Sequence, residues 1–308
     1  MTAPGTPTLD QLRVLLAVAE SGSFSAAAKR LRRAQSVVSY AVANLEAQLG
    51  LVLFARGHRR AVLTEAGRVV LADARRVSAI IDELRARAGG LTAGLEAEVA
   101  LAVDVMFPTA QLVAALEAFA RAFPTVALRL RVETLGTVIQ LVLEGTCGLG
   151  ISGPSGIHPD GLERRLILTI DLIPVVAPGH PLTQLPPPLP DAAFHEHTQL
   201  VLSDRSALTE GRDFGVLSLR TWRLGDLGAK HALLRAGLGW GNMPAHMVQD
   251  DLAGGRLVRL LPAAPVALGF PLLLIHRAAA PPGPAGQWLA DRLVGAGAAT
   301  VPELPVGD

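Results

Sequence analysis

The chain has 308 residues, of which 50% are hydrophobic and 4% aromatic, and its formal net charge is +1. This length supports about two domains, with cores built mainly from alanine, leucine and valine. The single cysteine, Cys147, excludes an intrachain disulfide and a two-cysteine redox switch. The start, MTAPGTPT, lacks a secretion signal and no apolar run is long enough to span a bilayer, so we expect a cytoplasmic protein without membrane association.

Residues 8–49 predict three short helices that share a small core. Thr8 and Gln11 fit a capping box at the start of the first helix, Gly22 ends it, and Ser23 or Ser25 can cap the second helix. In the third helix one stripe is apolar and the opposite stripe is small and polar; the two sets are Val38, Val42, Leu45 and Leu49, and Ser36, Tyr40, Ala43 and Ala47. Such a free face suits the major groove of duplex DNA, although plain bundle packing is equally compatible with the motif alone.

The charge distribution favours DNA binding. Residues 1–90 contain 13 basic and 7 acidic residues, a net charge of +6, whereas the remainder contains 15 and 20, a net charge of −5. Two basic clusters flank the third helix: Lys29, Arg30, Arg32 and Arg33, and Arg56, His58, Arg59 and Arg60. A solvated basic face is the alternative, but two clusters around a polar helix favour contacts with phosphates.

A long ordered set of residues carries a family resemblance. It runs from Leu12 to Ala19 and continues through Gly22, Ser23, Phe24, Ala27, Ala28, Leu31, Gln35, Ser39, Leu45, Glu46, Leu49, Gly50, Leu53, Phe54, Arg56, Leu63, Thr64, Ala66 and Gly67. In this order the chain resembles the winged helix-turn-helix of LysR-type transcriptional regulators. The resemblance is strong through Ala88 and looser beyond it.

The resemblance implies that residues 53–63 form a wing whose tip, at Gly57 and His58, lies along the minor groove. The candidate DNA contacts are Ser25, Arg33, Gln35, Ser36, Ser39, Tyr40, Asn44, Arg56, His58, Arg59 and Arg60. Two positions depart from the family. Ala34 replaces the usual Ser or Thr, which removes a side-chain cap worth about 1 kcal/mol, and Tyr40 replaces a long polar or basic residue, so it cannot form an arginine fork to guanine.

A helix is predicted from Thr64 to about Ala88. Its apolar residues recur at steps of four and three, as in a heptad seam: Val70, Ala74, Val77, Ile81, Leu84 and Ala88. The family resemblance implies that the seam pairs with the same helix of a second subunit, whereas packing on its own regulatory domain is the alternative. Gly89, Gly90 and Gly94 are predicted to form a flexible joint.

The predicted domains are therefore residues 1–63, a DNA-binding domain, residues 64–90, a dimerisation helix and hinge, and residues 91–300, a regulatory domain. Alternating patterns predict strands at 98–105, 127–133 and 147–152 and helices at 110–123 and 138–143, which together indicate a parallel sheet. A second group comprises strands near 170–176, 199–202 and 239–241 and a helix at 226–236. The final strand at 271–275 and helix at 287–294 resemble segments that return to the first lobe in this family.

The fold class is thus α/β, with a winged helix-turn-helix, a linker helix and a two-lobed domain that resembles type 2 periplasmic binding proteins. Lobe 1 is expected at about 91–165 and 269–300, and lobe 2 at about 166–268. The resemblance implies a cleft formed by loops 104–109, 203–206, 224–226 and 240–243. The candidate effector contacts are Asp104, Met106, Phe107, Thr109, Ser203, Asp226, Trp240 and Asn242.

Each of these residues also has a structural interpretation. Met106 and Phe107 suit a core, Thr109 suits a helix cap, and Trp240 suits the space between the lobes. Asp104 replaces a Ser or Thr that is frequent in relatives. Its carboxylate favours a cationic or hydroxylated effector over the usual carboxylates, or else it pairs with Arg205 or Arg223.

Catalytic motifs are not found. His195, Glu196 and His197 lack the further spaced ligands that a metal site needs, and the sequence has neither a glycine-rich phosphate loop nor a hydrolase nucleophile elbow. We therefore expect no enzyme activity, no catalytic residues, no metal and no cofactor. The predicted partners are double-stranded DNA, a small-molecule effector, and further copies of the chain in a homodimer and a homotetramer. An effector-independent architectural protein and a ligand-binding module without a DNA role are the alternatives.

Overall fold

The computed structural model describes residues 5–55, 60–154, 156, 159–203, 206–209, 215–263 and 269–298. The chain divides into two compact units, Met1–Gly89 and Gly90–Asp308, here named the N-terminal and C-terminal units. Within the described residues, no helix combines the length and the hydropathy needed to cross a membrane.

The N-terminal unit is built on three helices: α1 (Leu9–Ser21), α2 (Phe24–Leu31) and α3 (Gln35–Leu49). The predicted capping box is confirmed, because the Thr8 hydroxyl accepts from the Gln11 amide and the Gln11 side chain accepts from the Thr8 amide. Gly22 ends α1 in the left-handed region at φ 68°. Ser23, rather than Ser25, caps α2 by accepting from the Ala26 amide. The three helices enclose one core, which includes Val14, Leu15, Val18, Ala27, Ala28, Val38, Val42 and Leu45.

Helix α4 (Glu65–Thr92) confirms the long predicted helix but differs from it at both ends. The helix continues through Gly89 and Gly90, so the chain is helical at two of the three glycines predicted to form a joint, although the two units divide between them. Gly94, at φ 82°, lies beyond the helix end. Near its start, α4 buries Leu71 and Ala74 against the core of the N-terminal unit. The first part of the predicted seam therefore packs within its own subunit.

The C-terminal unit alternates short strands and helices. Its strands are β1 (Glu98–Asp104), β2 (Ala127–Glu133), β3 (Leu149–Ser152), β4 (Leu162–Ile170), β5 (Leu172–Val176), β6 (Gln199–Leu202), β7 (Thr221–Leu224), β8 (Gly241–Pro244), β9 (Val258–Arg259) and β10 (Phe270–Arg277). Its helices are α5 (Thr109–Ala122), α6 (Gly136–Leu143), α7 (Asp191–His195), α8 (Leu227–Arg235), α9 (Ala245–Ala253) and α10 (Pro284–Ala298).

Lobe 1 is a five-stranded sheet in the order β2-β1-β3-β10-β4. The prediction of a parallel sheet is correct for β2, β1 and β3. It is wrong for the other edge, where β10 runs antiparallel to both β3 and β4. Strand β4 was not predicted as a separate strand, because the run that contains it continues into β5 with only Asp171 between them.

Lobe 2 contains the antiparallel sheet β8-β5-β9 and the parallel pair β6-β7. A main-chain hydrogen bond of 2.8 Å from the Leu200 amide to the Trp240 carbonyl joins the two sheets. Helix α8 follows β7 directly and packs its apolar side on β6. The start of α8 therefore lies at the carboxyl ends of β6 and β7, which is where α/β sheets commonly bind ligands.

Candidate nucleic-acid interface and effector site

Helix α3 has a buried face and a free face. Val38 and Leu45 are fully buried, whereas Tyr40 is 68% exposed and Ser36 and Ser39 are also exposed. Gln35 and Ser25 are exposed as well, and Asn44 is half-buried. The N-cap residue, Ala34, makes no side-chain capping bond, as its sequence implies.

The free face of α3 also contains an apolar side chain that is not among the predicted DNA contacts. Val37 is 48% exposed and lies one turn before Tyr40. An exposed methyl-bearing side chain beside hydroxyl groups matches the major-groove edge of thymine, which presents both a methyl group and an acceptor oxygen. The mixed character of this face therefore suits base edges.

Two arginines of the first basic cluster form ion pairs with α1. Arg33 donates to both carboxylate oxygens of Asp10 at 2.7 and 2.8 Å, and Arg30 lies 2.6 Å from Glu20. The hydrogen bond from Arg33 lowers the pKa of Asp10. Because exposed ion pairs contribute little free energy, a nearby phosphate can compete for these guanidinium groups.

The base of the predicted wing lies within the described residues. Phe54 and Leu63 form an antiparallel bridge, and the Ala55 amide donates to the Val62 carbonyl at 2.8 Å. Arg60 is exposed beside this hairpin base. The tip positions Arg56, Gly57, His58 and Arg59 lie outside the described residues, so the DNA contacts predicted for them stay predictions.

Glu46 positions the wing, a role that the sequence did not reveal. Its carboxylate Oε1 accepts hydrogen bonds from the Leu53 amide at 2.6 Å and the Phe54 amide at 3.2 Å. Glu46 belongs to α3, so the helix with the free polar face holds the first strand of the wing directly. A glutamate near the end of a predicted helix gives no sign of a partner beyond the turn.

The start of α4 is fixed to the same strand. The Thr64 hydroxyl donates to the Val52 carbonyl at 2.6 Å and accepts from the Gly67 amide at 2.9 Å. Gly67 is buried so close to the strand that a Cβ atom there would lie 2.1 Å from the Leu53 carbonyl oxygen. Helix α4 and the wing therefore meet backbone to backbone.

An apolar stripe remains exposed along α4. Val69, Ile80, Leu84 and Leu91 are between 51% and 62% exposed. Their separations of 11, 4 and 7 residues are close to whole helical turns, which places them along one side of the helix. Of the six predicted seam residues, Leu84 belongs to this stripe, whereas Ala74 is buried in the N-terminal unit.

Asp104 is a buried structural carboxylate at the end of β1. It is 1% exposed, and its two oxygens accept from the Met106 amide at 2.9 Å and the Leu135 amide at 3.0 Å. Leu135 precedes α6 and has a positive φ of 42°, which is unusual for a residue with a side chain. Asp104 thus stabilises two loops of lobe 1. Arg205, one of its predicted partners, lies outside the described residues.

The remaining lobe 1 candidates occupy different environments. Met106 and Phe107 are buried in the main core of the C-terminal unit, in agreement with their structural interpretation. Thr109 is exposed as the first residue of α5, and the residue in the N-cap position is Pro108. The interpretation of Thr109 as the cap is therefore wrong.

Lobe 2 brings three of its candidates to the ends of strands. The Ser203 hydroxyl lies 3.5 Å from the Leu224 carbonyl, and Asp226 caps α8 by accepting from the Ala229 amide at 2.5 Å. Trp240 is fully buried, with its ring centroid 4.7 Å from that of Phe194, so it packs in the core of this lobe.

Asn242 occupies a polar environment around β8. Its main-chain carbonyl accepts from the Lys230 Nζ at 2.7 Å, and its Nδ2 lies 3.4 Å from the Gly215 carbonyl. Its Oδ1 is buried and has no hydrogen-bond partner among the described residues. Lys230, which is not among the predicted effector contacts, is the second buried polar group here, at 3% exposed.

The described histidines of lobe 2 do not assemble a metal site with other described side chains. The rings of His180 and His197 meet edge to face at 4.9 Å, and burial lowers the pKa of His180. Across the part of the chain that the structure describes, no group of three or more His, Cys, Asp or Glu side chains converges.

A helix-turn-helix with a polar free face, a wing base and a two-lobed α/β unit define a DNA-binding regulator with a ligand-binding domain. Two family models match the chain: "Bacterial regulatory helix-turn-helix protein, lysR family" over residues 9–68 and "LysR substrate binding domain" over residues 92–298. The chain belongs to the LysR family of transcriptional regulators. The predicted family and fold class are confirmed.

Known proteins similar to the chain are regulators rather than enzymes. The chain is 29% identical over 257 residues to the probable regulator YhaJ of Escherichia coli K12, covering 81% of this chain and 84% of that protein. It is 31% identical over 251 residues to the E. coli K12 regulator PunR, covering 81% of each. The solved structure of an OxyR C206 mutant from Corynebacterium glutamicum covers 96% of this chain and 97% of its own, with a TM-score of 0.54 and 21% identity, which supports the fold.

Proposed function

We propose that the protein binds specific operator sequences by placing α3 in the major groove and the wing along the adjacent minor groove. The observation that carries this proposal is the exposed small polar face of α3, with Ser36 and Tyr40 free of the protein core. Arg33, Arg60 and the other basic residues of the N-terminal unit would contact phosphates and fix the orientation of the helix. Since the partner is chromosomal DNA, we propose that the protein acts in the cytoplasm.

We further propose a homodimer formed through α4. The support is the exposed stripe of Val69, Ile80, Leu84 and Leu91, which an isolated helix cannot bury. Pairing of dimers into a tetramer through the C-terminal units is supported by the exposed apolar side chains of two strands. These are Leu130 and Val132 on β2, at 39% and 53%, and Trp222 on β7, at 48%.

Regulation is proposed to come from a small molecule bound between the lobes. Binding can change promoter output only if the effector has a higher affinity for one quaternary arrangement than for another. The arrangement with the higher affinity then sets the spacing of the paired α3 helices on DNA. An architectural protein without an effector is the nearest alternative, and it would show no stabilisation by any metabolite in thermal unfolding.

Base reading is tested by comparing two variants on two kinds of duplex. The operator is first obtained by selecting bound fragments of genomic DNA, and fluorescence anisotropy then measures affinity for it and for a random duplex. Ser36→Ala combined with Tyr40→Ala is expected to weaken operator binding by roughly tenfold or more and random binding little, because base contacts contribute only at the operator. Arg60→Ala should weaken both and flatten the salt dependence. Equal losses on both duplexes for the double variant would contradict base reading by α3.

A further inference from the structure

Lys230 is a buried cation on the apolar side of α8. It is 3% exposed, and its neighbours on the same side of the helix, Leu227 and Leu234, are 1% and 0% exposed. Burial lowers the pKa of Lys230 to about 8. Burying an ammonium group is unfavourable unless a partner compensates the charge, so a lysine in this stripe needs an explanation beyond packing.

The described residues around Lys230 provide no counter-ion. The hydrogen-bond acceptor that the described residues offer its Nζ is the neutral Asn242 carbonyl, at 2.7 Å. Burial lowers the pKa of Lys230, and no carboxylate of the described residues opposes this shift. The nearest acidic residue along its own helix, Asp226, caps the Ala229 amide, and Asp251 pairs with His231, whose side chain projects from the adjacent position of α8. An ammonium group has three donors, so two remain for another acceptor.

A second unsatisfied group lies on the adjacent strand. The Oδ1 of Asn242 is buried without a partner among the described residues, and the main chain of the same residue holds Lys230. Gly241 leaves space for the lysine, because a Cβ atom there would come within 3.2 Å of its Cε. A buried donor with spare bonding capacity therefore contacts the main chain of the residue whose side chain carries the unbonded acceptor, in the region where the effector is expected.

In lobe 1, the charged group at the predicted cleft loop 104–109 is a carboxylate that the protein itself satisfies. The Asp104 carboxylate accepts from the Met106 and Leu135 amides and is only 1% exposed, so it is not presented to a ligand. The sequence suggested that Asp104 favours a cationic or hydroxylated effector, and the structural role of its carboxylate removes that support. Among the described residues of lobe 2, the buried charged group that lacks a counter-ion is Lys230.

We propose that Lys230 and Asn242 form the anion-binding end of the effector site and that the effector is a small carboxylate with a hydrogen-bond donor on the neighbouring carbon, as in a hydroxy acid or an amino acid. The carboxylate accepts from the Lys230 Nζ, and the hydroxyl or ammonium group donates to the Asn242 Oδ1. This assignment rests on the proposed effector control. It places the anion on lobe 2 rather than at the start of α5 in lobe 1.

The test uses the full-length protein and matched probes: a panel of hydroxy and amino acids, the corresponding unsubstituted acids, and the corresponding amides. Thermal unfolding identifies the acids that stabilise the protein, and titration calorimetry measures their affinity. We expect the substituted acids to bind best and the unsubstituted acids more weakly. The amides should bind at least about tenfold more weakly than the acids, because they lack the negative charge of the carboxylate.

Three variants separate the contacts. Lys230→Met keeps the length of the side chain but removes the charge, and it should lose at least about tenfold in affinity for every acid while keeping duplex affinity. Asn242→Ala should lose the preference for substituted over unsubstituted acids, since its carbonyl still holds Lys230. Arg259→Met, an exposed change on β9, should bind all probes like the wild type.

The outcomes distinguish this inference from the proposed function. Equal binding of acids and amides, equal affinity of Lys230→Met and the wild type, or no response to any acid would overturn the anion site. Stabilisation by a neutral probe alone would overturn it and leave effector control in place. If Lys230→Met does not fold, Asn242→Ala still decides, because retention of the wild-type preference for substituted acids contradicts the proposal. If the wild-type protein does not bind duplex DNA, the DNA-binding role is refuted instead.

Discussion

Replacing Gly67 by alanine is expected to separate α4 from the wing. The new Cβ atom would lie 2.1 Å from the Leu53 carbonyl oxygen and 3.0 Å from the Leu63 Cδ2. The Leu53 carbonyl cannot move freely, because it also accepts from the Thr64 amide at 3.0 Å. The helix or the strand must therefore shift by about 1 Å, and the Thr64 hydrogen bonds that join them must lengthen.

The size of the effect follows from the nature of the obstacle. Overpacking a core usually costs about 1–3 kcal/mol, and the upper end applies because backbone atoms resist displacement more than side chains. A loss of about 3 kcal/mol in the free energy of local unfolding raises the equilibrium constant for separating α4 from the wing by roughly 150-fold. Gly89 provides the matched control on the same helix. A Cβ atom there meets no atom within 4 Å, so Gly89→Ala should stabilise the helix by up to about 1 kcal/mol.

Hydrogen exchange measured by mass spectrometry on the full-length protein reports the opening of each segment separately, which a global unfolding curve of two units cannot do. Peptides that contain Leu53 and Thr64 should exchange much faster in Gly67→Ala and at the wild-type rate in Gly89→Ala. Wild-type protection of these amides in Gly67→Ala would refute the close contact. So would equal changes in both variants.

Two further side chains should have measurable structural effects. Glu46→Ala leaves the Leu53 and Phe54 amides without their acceptor, so the free energy that protects these amides from exchange should fall by about 1.5–3 kcal/mol. The loss should be smaller for Glu46→Gln, whose side-chain oxygen can still accept. Equal losses in the two variants would mean that the carboxylate oxygens do not hold the wing. The pKa of Asp251 is lowered from 3.8, first by its hydrogen bond from Arg256. Its stabilising contribution is therefore complete above about pH 4 and is lost as the pH falls through the lowered pKa. Urea unfolding should show a lower free energy of unfolding for Asp251→Asn than for the wild type at pH 7. This difference in free energy should vanish in acid, and a difference that persists at the lowest pH would contradict the ion pair.

The helix-turn-helix could be predicted in detail because its determinants are local. The capping box at Thr8 and Gln11, the left-handed Gly22 and the uncapped Ala34 each act within four residues of the helix end that they define. The buried stripe of α3 likewise follows from its spacing. In α4 the same reasoning gave the helix but not its partner, because a periodic stripe does not indicate which surface covers it.

The order of the strands was less predictable from the sequence than the helix-turn-helix. The parallel neighbours of β1 follow from alternating strands and helices, since a helix must connect parallel strands. The antiparallel edge depends on β10 returning to β3 from more than 100 residues away along the chain. Strand β4 pairs with β10 as well, so neither its length nor its direction is determined by nearby residues.

The polar side chains of the C-terminal unit show most clearly what the sequence does not predict. A carboxylate just beyond a strand looks the same in sequence whether it faces a ligand or main-chain amides, and Asp104 accepts from an amide 31 residues away. Lys230 looks like an ordinary helix surface residue, because only the packing of α8 on the sheet of lobe 2 buries it. Burial without a counter-ion distinguishes the two cases. Asp104 is stabilised by main-chain amides of the protein itself, whereas Lys230 has no carboxylate partner among the described residues. The charge preference that we propose for the effector therefore depends on the packing of lobe 2.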